Sequence, residues 1–443
     1  MIETQSEFIL KRIASLLLYE SVFNNEVGEA FLKILETLDK GDRDPNAIGV
    51  DIRQGQKCYT RDCLQAYGNW FKVLAAQNRS WQDYLIKQIL ENDNPFSQQV
   101  QKTAISDLPP SLIAATKYDL QVLEIIYNWD IQHLSKWVKE VANLPVAPVT
   151  WYCETCSKTF LHQTKNWANA IEDLACYYRQ NGTGIFAIYD ALRWEKGELR
   201  GIVRADRVDL EEIVGYESQK NALIKNTECL LGGYPALHVL LYGSRGSGKS
   251  SLVKGLLQKY SDRGLRLIEV DKLHLNDLPK IVEQLPELPQ KFIIFVDDLS
   301  FEEDDDSFKA LKVVLEGSLT ARGKNVVVYA TSNRRHLIKE FFEDRPPPKD
   351  GDEIHAWDTV QEKLSFSDRF GLTLTFEPAN QEKYLKIVTH LATRAKIKID
   401  SSLLEFGAKQ WATRHNGRSG RSARQFIDFL IGELGSPKIN SES

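Results

Sequence analysis

Apolar side chains recur at intervals of three and four residues through the first 183 residues of the chain. Three examples are ILKRIASLLLYESV, VGEAFLKILETL and WDIQHLSKWVKEVANL. This spacing is typical of amphipathic helices, so we predict a mainly α-helical N-terminal domain over residues 1–183. Seven of the nine tryptophans lie between Trp70 and Trp194. We expect them to fill the spaces between helices rather than to form an exposed partner surface.

A different pattern begins at residue 184. Residues 184–208 predict a β-hairpin and linker, with two strands joined at a Lys-Gly turn,. Over residues 209–378 short apolar runs alternate with amphipathic helices, and the runs are HVLLYG, RLIEVD, KFIIFVDD, NVVVYATSN and GLTLTF. Runs without polar alternation are typical of a parallel sheet covered by helices on both faces. Residues 379–435 predict a small helical domain, and residues 436–443 a tail.

Length, charge and cysteine content restrict the class of protein. A chain of 443 residues supports two or three domains,. The net charge of −5 disfavours nucleic-acid binding over the whole surface, although a local basic patch stays compatible with it,. No apolar run reaches the roughly 18–20 residues that a membrane span needs, and the start, MIETQSEF, is not typical of a secretion signal,. Six cysteines in this length are typical of reduced thiols,, so we expect a cytoplasmic protein without membrane partners.

One stretch matches the phosphate-binding pattern G-x-x-x-x-G-K-[ST] in full, directly after the strand HVLLY,. Glycines let the backbone turn so that its N–H groups face an anion, and the following helix adds the positive end of its dipole. Lys249 is the candidate ligand of the β- and γ-phosphates, and the Ser250 hydroxyl a candidate ligand of Mg²⁺. We predict an ATP site with Mg²⁺ as cofactor, contacted by Gly243, Ser244, Arg245, Gly246, Ser247, Gly248, Lys249, Ser250 and Ser251.

Two carboxylates follow a later strand. The run FIIFV ends at Val296 and is followed by Asp297 and Asp298. After a phosphate loop, an aspartate at a strand end is placed to hold Mg²⁺, which we assign to Asp297. We assign to Asp298 the orientation of the attacking water.

The order of motifs resembles that of AAA+ ATPases: GYESQ, the phosphate loop, VDD, YATSN, SDRFG and GRSAR. The stretch from Asp209 to Leu434 resembles an uncharacterised bacterial AAA+ family, domain of unknown function 815, with some motifs similar to those of replication initiators and helicase loaders. The resemblance implies an α/β fold: an AAA+ P-loop NTPase core with a five-stranded parallel sheet, a small C-terminal helical lid and the helical N-terminal domain.

The resemblance also implies roles for single residues. Asn333 matches sensor 1, which contacts the γ-phosphate or the attacking water. Arg369 matches the arginine finger, which acts on ATP held by a neighbouring subunit, so a homo-oligomer is implied, with a ring of six as the family's default. Arg424 matches sensor 2, and Arg421 is the alternative. Arginines aimed at a γ-phosphate raise the rate by about 10³–10⁵ in related systems.

The chain departs from the AAA+ pattern at one catalytic position, because most AAA+ enzymes have Glu where this chain has Asp298. A shorter carboxylate orients water less well, so we expect slow hydrolysis. The function predicted is an AAA+ ATPase that remodels or loads a macromolecule, with a protein partner bound by the N-terminal domain. Two alternatives stay open: a nucleotide-controlled binding module with little hydrolysis, and a DNA-associated ATPase.

One C-x-x-C pair raises the question of zinc. Cys153 and Cys156 have His162 and Cys176 within reach in sequence. Structural zinc sites need four well-spaced ligands, often as two such pairs, and only one pair is visible. A structural zinc site is therefore disfavoured, and whether Cys153 and Cys156 bind a metal stays open.

Overall fold

The structure is a computed structural model. It describes residues 5–43, 52–153, 158–285, 288–301, 307–316, 324–333, 365–415 and 417–435. The predicted tail, 436–443, and Cys156 lie outside these ranges. The chain forms two compact units, Met1–Ile188 and Tyr189–Ser443.

The first unit consists of helices, as the apolar spacing predicts, and its described residues form no strand. The α-helices of its described residues are α1 (Gln5–Ala14), α2 (Glu26–Arg43), α3 (Ile52–Gln77), α4 (Trp81–Leu90), α5 (Pro95–Val100), α6 (Pro110–Asn128), α7 (Gln132–Val141), α8 (Phe160–Gln163), α9 (Ile171–Asn181) and α10 (Ile185–Ile188).

Aromatic side chains fill the core of this unit. Trp70, Trp81 and Trp167 are at most 2% exposed. The ring centroids of Phe31 and Trp81 lie 4.2 Å apart. The expectation that tryptophans pack between helices is therefore confirmed for these residues. Rings of this size bury a large apolar area, which is the main favourable term in helix packing.

A buried carboxylate joins the chain segment after α1 to helix α6. Asp119 is fully buried and accepts hydrogen bonds from the backbone N–H groups of Leu17, Leu18 and Tyr19 at 2.7–3.1 Å. A buried charge is stable only when it is paired or hydrogen-bonded, and these donors provide that.

The residues near the C-x-x-C pair have structural partners. His162 Nε2 lies 2.9 Å from Asp83 Oδ1, and His162 Nδ1 lies 3.0 Å from the Thr159 hydroxyl. Within the described residues, no group of three or more His, Cys, Asp or Glu side chains is arranged to hold a metal ion.

The second unit is built on a seven-stranded sheet in the order β2-β1-β4-β5-β6-β3-β7. All neighbouring strands are parallel except β1 and β2. The strands are β1 (Ala191–Glu195), β2 (Glu198–Gly201), β3 (Val239–Gly243), β4 (Leu265–Glu269), β5 (Lys291–Val296), β6 (Val326–Ser332) and β7 (Leu372–Phe376).

The predicted α/β class is confirmed, but the predicted count of five strands is wrong. The hairpin turns at Lys196 and Gly197, both with positive φ (54° and 84°), as tight two-residue hairpins require,. Its first strand then pairs in parallel with β4, with Ala191 opposite Leu267. The hairpin thus extends the sheet by two strands, and its pairing satisfies the backbone groups along that edge of β4,.

Helices accompany this sheet and follow it. They are α11 (Glu217–Leu231), α12 (Lys249–Tyr260), α13 (Leu278–Glu283), α14 (Ser307–Glu316) and, in the C-terminal lid, α15 (Gln381–Arg394), α16 (Ser401–Arg414) and α17 (Gly420–Gly435). The lid has its own core, which includes Tyr384, Ala408 and Phe426. Across the described residues, no helix combines the length and the apolarity that crossing a membrane requires.

Candidate nucleotide site

The phosphate loop connects strand β3, which lies between β6 and β7, to helix α12. Gly243, Gly246 and Gly248 all have positive φ, at 138°, 73° and 91°, a region that side chains other than glycine's disfavour. A Cβ on Gly243 would lie 2.0 Å from the carbonyl oxygen of Phe376 on β7. The loop is therefore pressed against the neighbouring strand and turned so that α12 begins at Lys249.

Lys249 lies at the centre of the site with only 6% of its surface exposed. Its Nζ donates to the carbonyl oxygens of Gly243 and Ser244, both at 2.9 Å, and to Asn333 Oδ1 at 3.2 Å. Burial lowers the pKa of Lys249, the carboxylates of Asp298 and Asp297 act in the opposite direction, and the Arg421 charge lowers it further. The amine is thus held inside the loop by acceptors that an anion can replace.

A hydroxyl and a carboxylate meet beside this lysine. The Ser250 hydroxyl donates to Asp297 Oδ1 at 2.6 Å, and the Thr331 hydroxyl donates to the same oxygen at 2.5 Å. Oxygen ligands of this kind are those that Mg²⁺ prefers, with one or two protein ligands and substrate phosphates completing its shell. The residues present therefore fit a Mg²⁺ site.

Asp298 adopts an unusual backbone conformation, with φ at 52°. Aspartate is one of the few residue types that enter this left-handed region readily. Its N–H donates to the Thr331 hydroxyl at 2.9 Å, and its Oδ1 accepts from Asn333 Nδ2 at 2.6 Å. Since Asn333 also accepts from Lys249, a chain of hydrogen bonds runs from the phosphate loop to this carboxylate.

The lid contributes the start of helix α17. Ser419 and Ser422 cap it reciprocally, each backbone N–H donating to the other residue's hydroxyl at 3.0–3.1 Å. The Arg421 N–H donates to the carbonyl oxygen of Gly246 at 3.0 Å, which joins the lid directly to the phosphate loop. One turn further, Arg424 pairs with Glu212, which precedes α11.

These residues enclose a cavity of about 990 Å³. Its lining includes apolar side chains, namely Val208, Ile213, Val214, Ile387 and Leu391. Eleven of the residues predicted from the sequence line it too: Arg245, Gly246, Ser247, Gly248, Lys249, Ser250, Ser251, Asp297, Asp298, Asn333 and Arg424. A cavity with a polar, cationic part and an apolar part suits a ligand that carries phosphates and a flat base.

Three predicted residues do not line the cavity. Gly243 and Ser244 are the first two residues of the loop, and their carbonyl oxygens accept hydrogen bonds from Lys249 Nζ. Arg369 lies elsewhere on the unit and pairs with Glu316 at the end of α14, with 3.0 Å between Nη1 and Oε1.

Sequence reasoning missed residues that act through distant partners. Thr331 contacts both aspartates, and the signal was its position at the end of an apolar strand, two residues before Asn333. Glu212 holds Arg424 and stands shortly before the GYESQ motif, but no spacing pattern relates two residues so far apart in the chain.

The model of the family described as "Protein of unknown function (DUF815)" matches residues 187–434. The chain belongs to this family. The match covers the α/β sheet, the phosphate loop and the lid, so the DUF815 region holds every residue of the cavity.

Solved structures and curated proteins add little to this assignment. The Holliday junction branch migration motor RuvB of Thermotoga maritima is 14% identical, with a TM-score of 0.32, over 52% of this chain and 74% of that chain. A point mutant of RuvB from the same organism is 16% identical, with a TM-score of 0.37, over 53% and 68%. Similarities this distant carry no argument about this chain's function. No curated protein matches the chain.

Proposed function

We propose that this DUF815 protein binds ATP with Mg²⁺ and hydrolyses it. The observation that carries the proposal is the joint placement of a lysine, a hydroxyl and two carboxylates at the carboxyl ends of adjacent parallel strands. Asp297 follows β5, Asn333 follows β6 and the phosphate loop follows β3, and β5, β6 and β3 are neighbours. Ligands of open α/β sheets bind at this edge.

Each residue has a role in this mechanism. The loop N–H groups and Lys249 bind the β- and γ-phosphates, which replace the carbonyl partners that Lys249 Nζ now has. Ser250 and Asp297 would hold Mg²⁺, which would supply positive charge to neutralise the negative charge that develops during transfer. Asp298, oriented by Asn333, accepts a hydrogen bond from the attacking water. Arg245, Ser247 and Ser251 complete the phosphate loop.

The lid supplies a cation on the other side of the cavity. Arg424 is the proposed sensor, and it has to leave Glu212 to reach a phosphate. Arg421 is the alternative sensor. Its backbone N–H contacts the Gly246 carbonyl oxygen, and its charge lowers the pKa of Lys249. The division of this unit into a core (209–378) and a lid (379–435) is part of the proposal.

Assembly is the next part of the proposal. Arg369 lies outside the cavity lining and pairs with Glu316 of its own chain, which supports a role at the site of a neighbouring copy rather than at its own. We infer a homo-oligomer, with a ring of six as the default, that remodels or loads a macromolecule recruited by the helical N-terminal unit in the cytoplasm.

The test is Mg-ATP hydrolysis per subunit over a protein dilution series, for wild type, Lys249→Ala and Arg369→Ala. We expect specific activity to rise with concentration and both variants to lose it. Wild type that binds nucleotide but turns over no faster than Lys249→Ala at any concentration contradicts the ATPase and favours the nucleotide-controlled binding module. Activity independent of concentration contradicts the role of Arg369 in a neighbouring site.

A further inference from the structure

Thr331 lies at the point where both aspartates meet the sheet. It is the sixth residue of β6 (Val326–Ser332) and is only 2% exposed. Its hydroxyl donates to Asp297 Oδ1 at 2.5 Å and accepts from the Asp298 N–H at 2.9 Å, while its carbonyl oxygen accepts from the Leu299 N–H at 2.7 Å. A hydroxyl has one proton to donate and lone pairs that accept. A carboxylate oxygen can only accept and an N–H can only donate, so the Thr331 hydroxyl donates to Asp297 and accepts from Asp298.

These bonds determine two features of the site at once. Asp297 Oδ1 receives two hydroxyl donors, one from Ser250 on α12 and one from Thr331 on β6. Asp298 keeps its left-handed backbone, and such a conformation persists only where surrounding contacts hold it,. The Asp298 N–H donates to the Thr331 hydroxyl at 2.9 Å and, over a longer distance of 3.2 Å, to Asp297 Oδ1. Thr331 is therefore the contact that ties this amide to the neighbouring strand.

We propose that Thr331 is a positioning residue for both carboxylates. It holds Asp297 toward the Ser250 hydroxyl, and it stabilises the turn that directs Asp298 to Asn333. Its effect on turnover rests on the proposed ATPase function, but its effect on Mg²⁺-dependent nucleotide binding does not require hydrolysis. The assignment also gives a reason for aspartate at position 298, since a left-handed residue tied to a neighbouring strand favours Asp over Glu.

A purely structural role is the competing explanation, and the chain offers a matched control for it. Thr227 on α11 is also fully buried, and its hydroxyl bonds to the Leu223 carbonyl oxygen (2.9 Å) and to the Tyr329 hydroxyl (3.0 Å). It does not line the cavity. A Thr→Val change at either position removes a buried hydroxyl and keeps the shape of the side chain.

The experiment compares full-length wild type, Thr331→Val, Thr331→Ser and Thr227→Val. Calorimetry gives the affinity for ADP with and without Mg²⁺, steady-state kinetics give kcat and KM for ATP, and thermal unfolding gives stability. Loss of a residue that orients a metal ligand costs about 10–100-fold in metal affinity or activity. We therefore expect Thr331→Val to lower the Mg²⁺-dependent gain in ADP affinity and kcat by that factor, with ADP affinity in EDTA unchanged.

The conservative variant and the control separate the explanations. Thr331→Ser keeps the hydroxyl and is expected to retain the Mg²⁺ effect, and Thr227→Val is expected to change stability alone. The proposal is wrong if Thr331→Val loses stability as Thr227→Val does but keeps the wild-type Mg²⁺ effect and kcat. If wild type hydrolyses no ATP and Thr331→Val still weakens the Mg²⁺ effect, the ATPase proposal fails and the positioning role stands. Wild type that shows no Mg²⁺ effect overturns both.

Discussion

Asp298→Glu introduces the residue that most AAA+ enzymes have at the matching position of the motif, and the simple expectation from that resemblance is faster hydrolysis. The local structure predicts the opposite. Asp298 has a φ of 52°, and its carboxylate already accepts from Asn333 Nδ2 at 2.6 Å. The Asp298 carboxylate and the Asn333 amide are thus already in hydrogen-bond contact, and a longer side chain at position 298 would not fit between them without moving one of them.

The size of the effect follows from two contributions. The added methylene lengthens the side chain by about 1.5 Å, one carbon–carbon bond, and a misplacement of about 1 Å at a reacting centre costs about 100-fold in rate. Glutamate also lacks the ease with which aspartate enters the left-handed region, where the penalty is roughly 1–2 kcal/mol. We expect Asp298→Glu to lower kcat about 100-fold and the free energy of unfolding by about 1 kcal/mol.

The assay is steady-state hydrolysis of Mg-ATP per subunit at a protein concentration where wild-type specific activity no longer rises, together with denaturant unfolding. Asp298→Asn is the matched variant, because asparagine tolerates the same backbone conformation. It is expected to lose turnover while keeping wild-type stability. Asp298→Glu that turns over at the wild-type rate or faster would refute the argument that backbone conformation selects aspartate here.

Three further predictions concern charge. Burial lowers the pKa of Lys249, and a bound phosphate favours the protonated amine. We therefore expect nucleotide binding to take up a proton between the lowered pKa of the free protein and the higher pKa of the complex, and to weaken as pH rises through the lowered pKa. Calorimetry in two buffers of different ionisation heat measures this uptake, which Lys249→Arg is expected to abolish; equal heats in the two buffers for wild type contradict the prediction. The 3.0 Å ion pair of Arg369 with Glu316 is worth up to about 1 kcal/mol. Because Glu316→Gln releases Arg369 to reach a neighbouring copy, we expect it to lower the protein concentration for half-maximal activity by up to about fivefold. An increase in that concentration contradicts the idea that Glu316 holds Arg369 back within its own chain. Asp119→Ala leaves three backbone N–H groups without their acceptor, so we expect denaturant unfolding to show a free energy of unfolding lower by about 3 kcal/mol. Asp107→Ala, at an exposed position, is the control and should leave that free energy nearly unchanged.

Much of the fold was predictable because the signals are local. Helical spacing in the first unit and short apolar runs in the second each depend on a few consecutive residues, and both predictions are confirmed. The count of strands was wrong for a non-local reason. Whether the hairpin Ala191–Gly201 stands alone or joins the sheet depends on the free edge of β4 (Leu265–Glu269), which lies more than sixty residues away in the chain.

The candidate site divides in the same way. Lys249 and Ser250 belong to one contiguous motif, and Asp297 directly follows a strand that is recognisable in the sequence. The sequence alone was therefore enough to assign these three residues to one candidate site. Their roles as ligands stay predictions. The hydroxyl of Thr331 between the two aspartates came only from the structure, since nothing in the residue type distinguishes it from other strand threonines.

The sequence by itself determined the class of fold, the phosphate loop and the strand ends that carry the polar groups, because periodicity and short motifs depend on residues close together in the chain. Tertiary structure alone decided which side chains hold these groups in place. Glu212 holds Arg424, Glu316 holds Arg369, and Thr331 joins the two aspartates. Such pairs form because the sheet and the lid bring distant segments within hydrogen-bonding distance, and a hydrogen bond depends on a distance of about 3 Å rather than on separation along the chain.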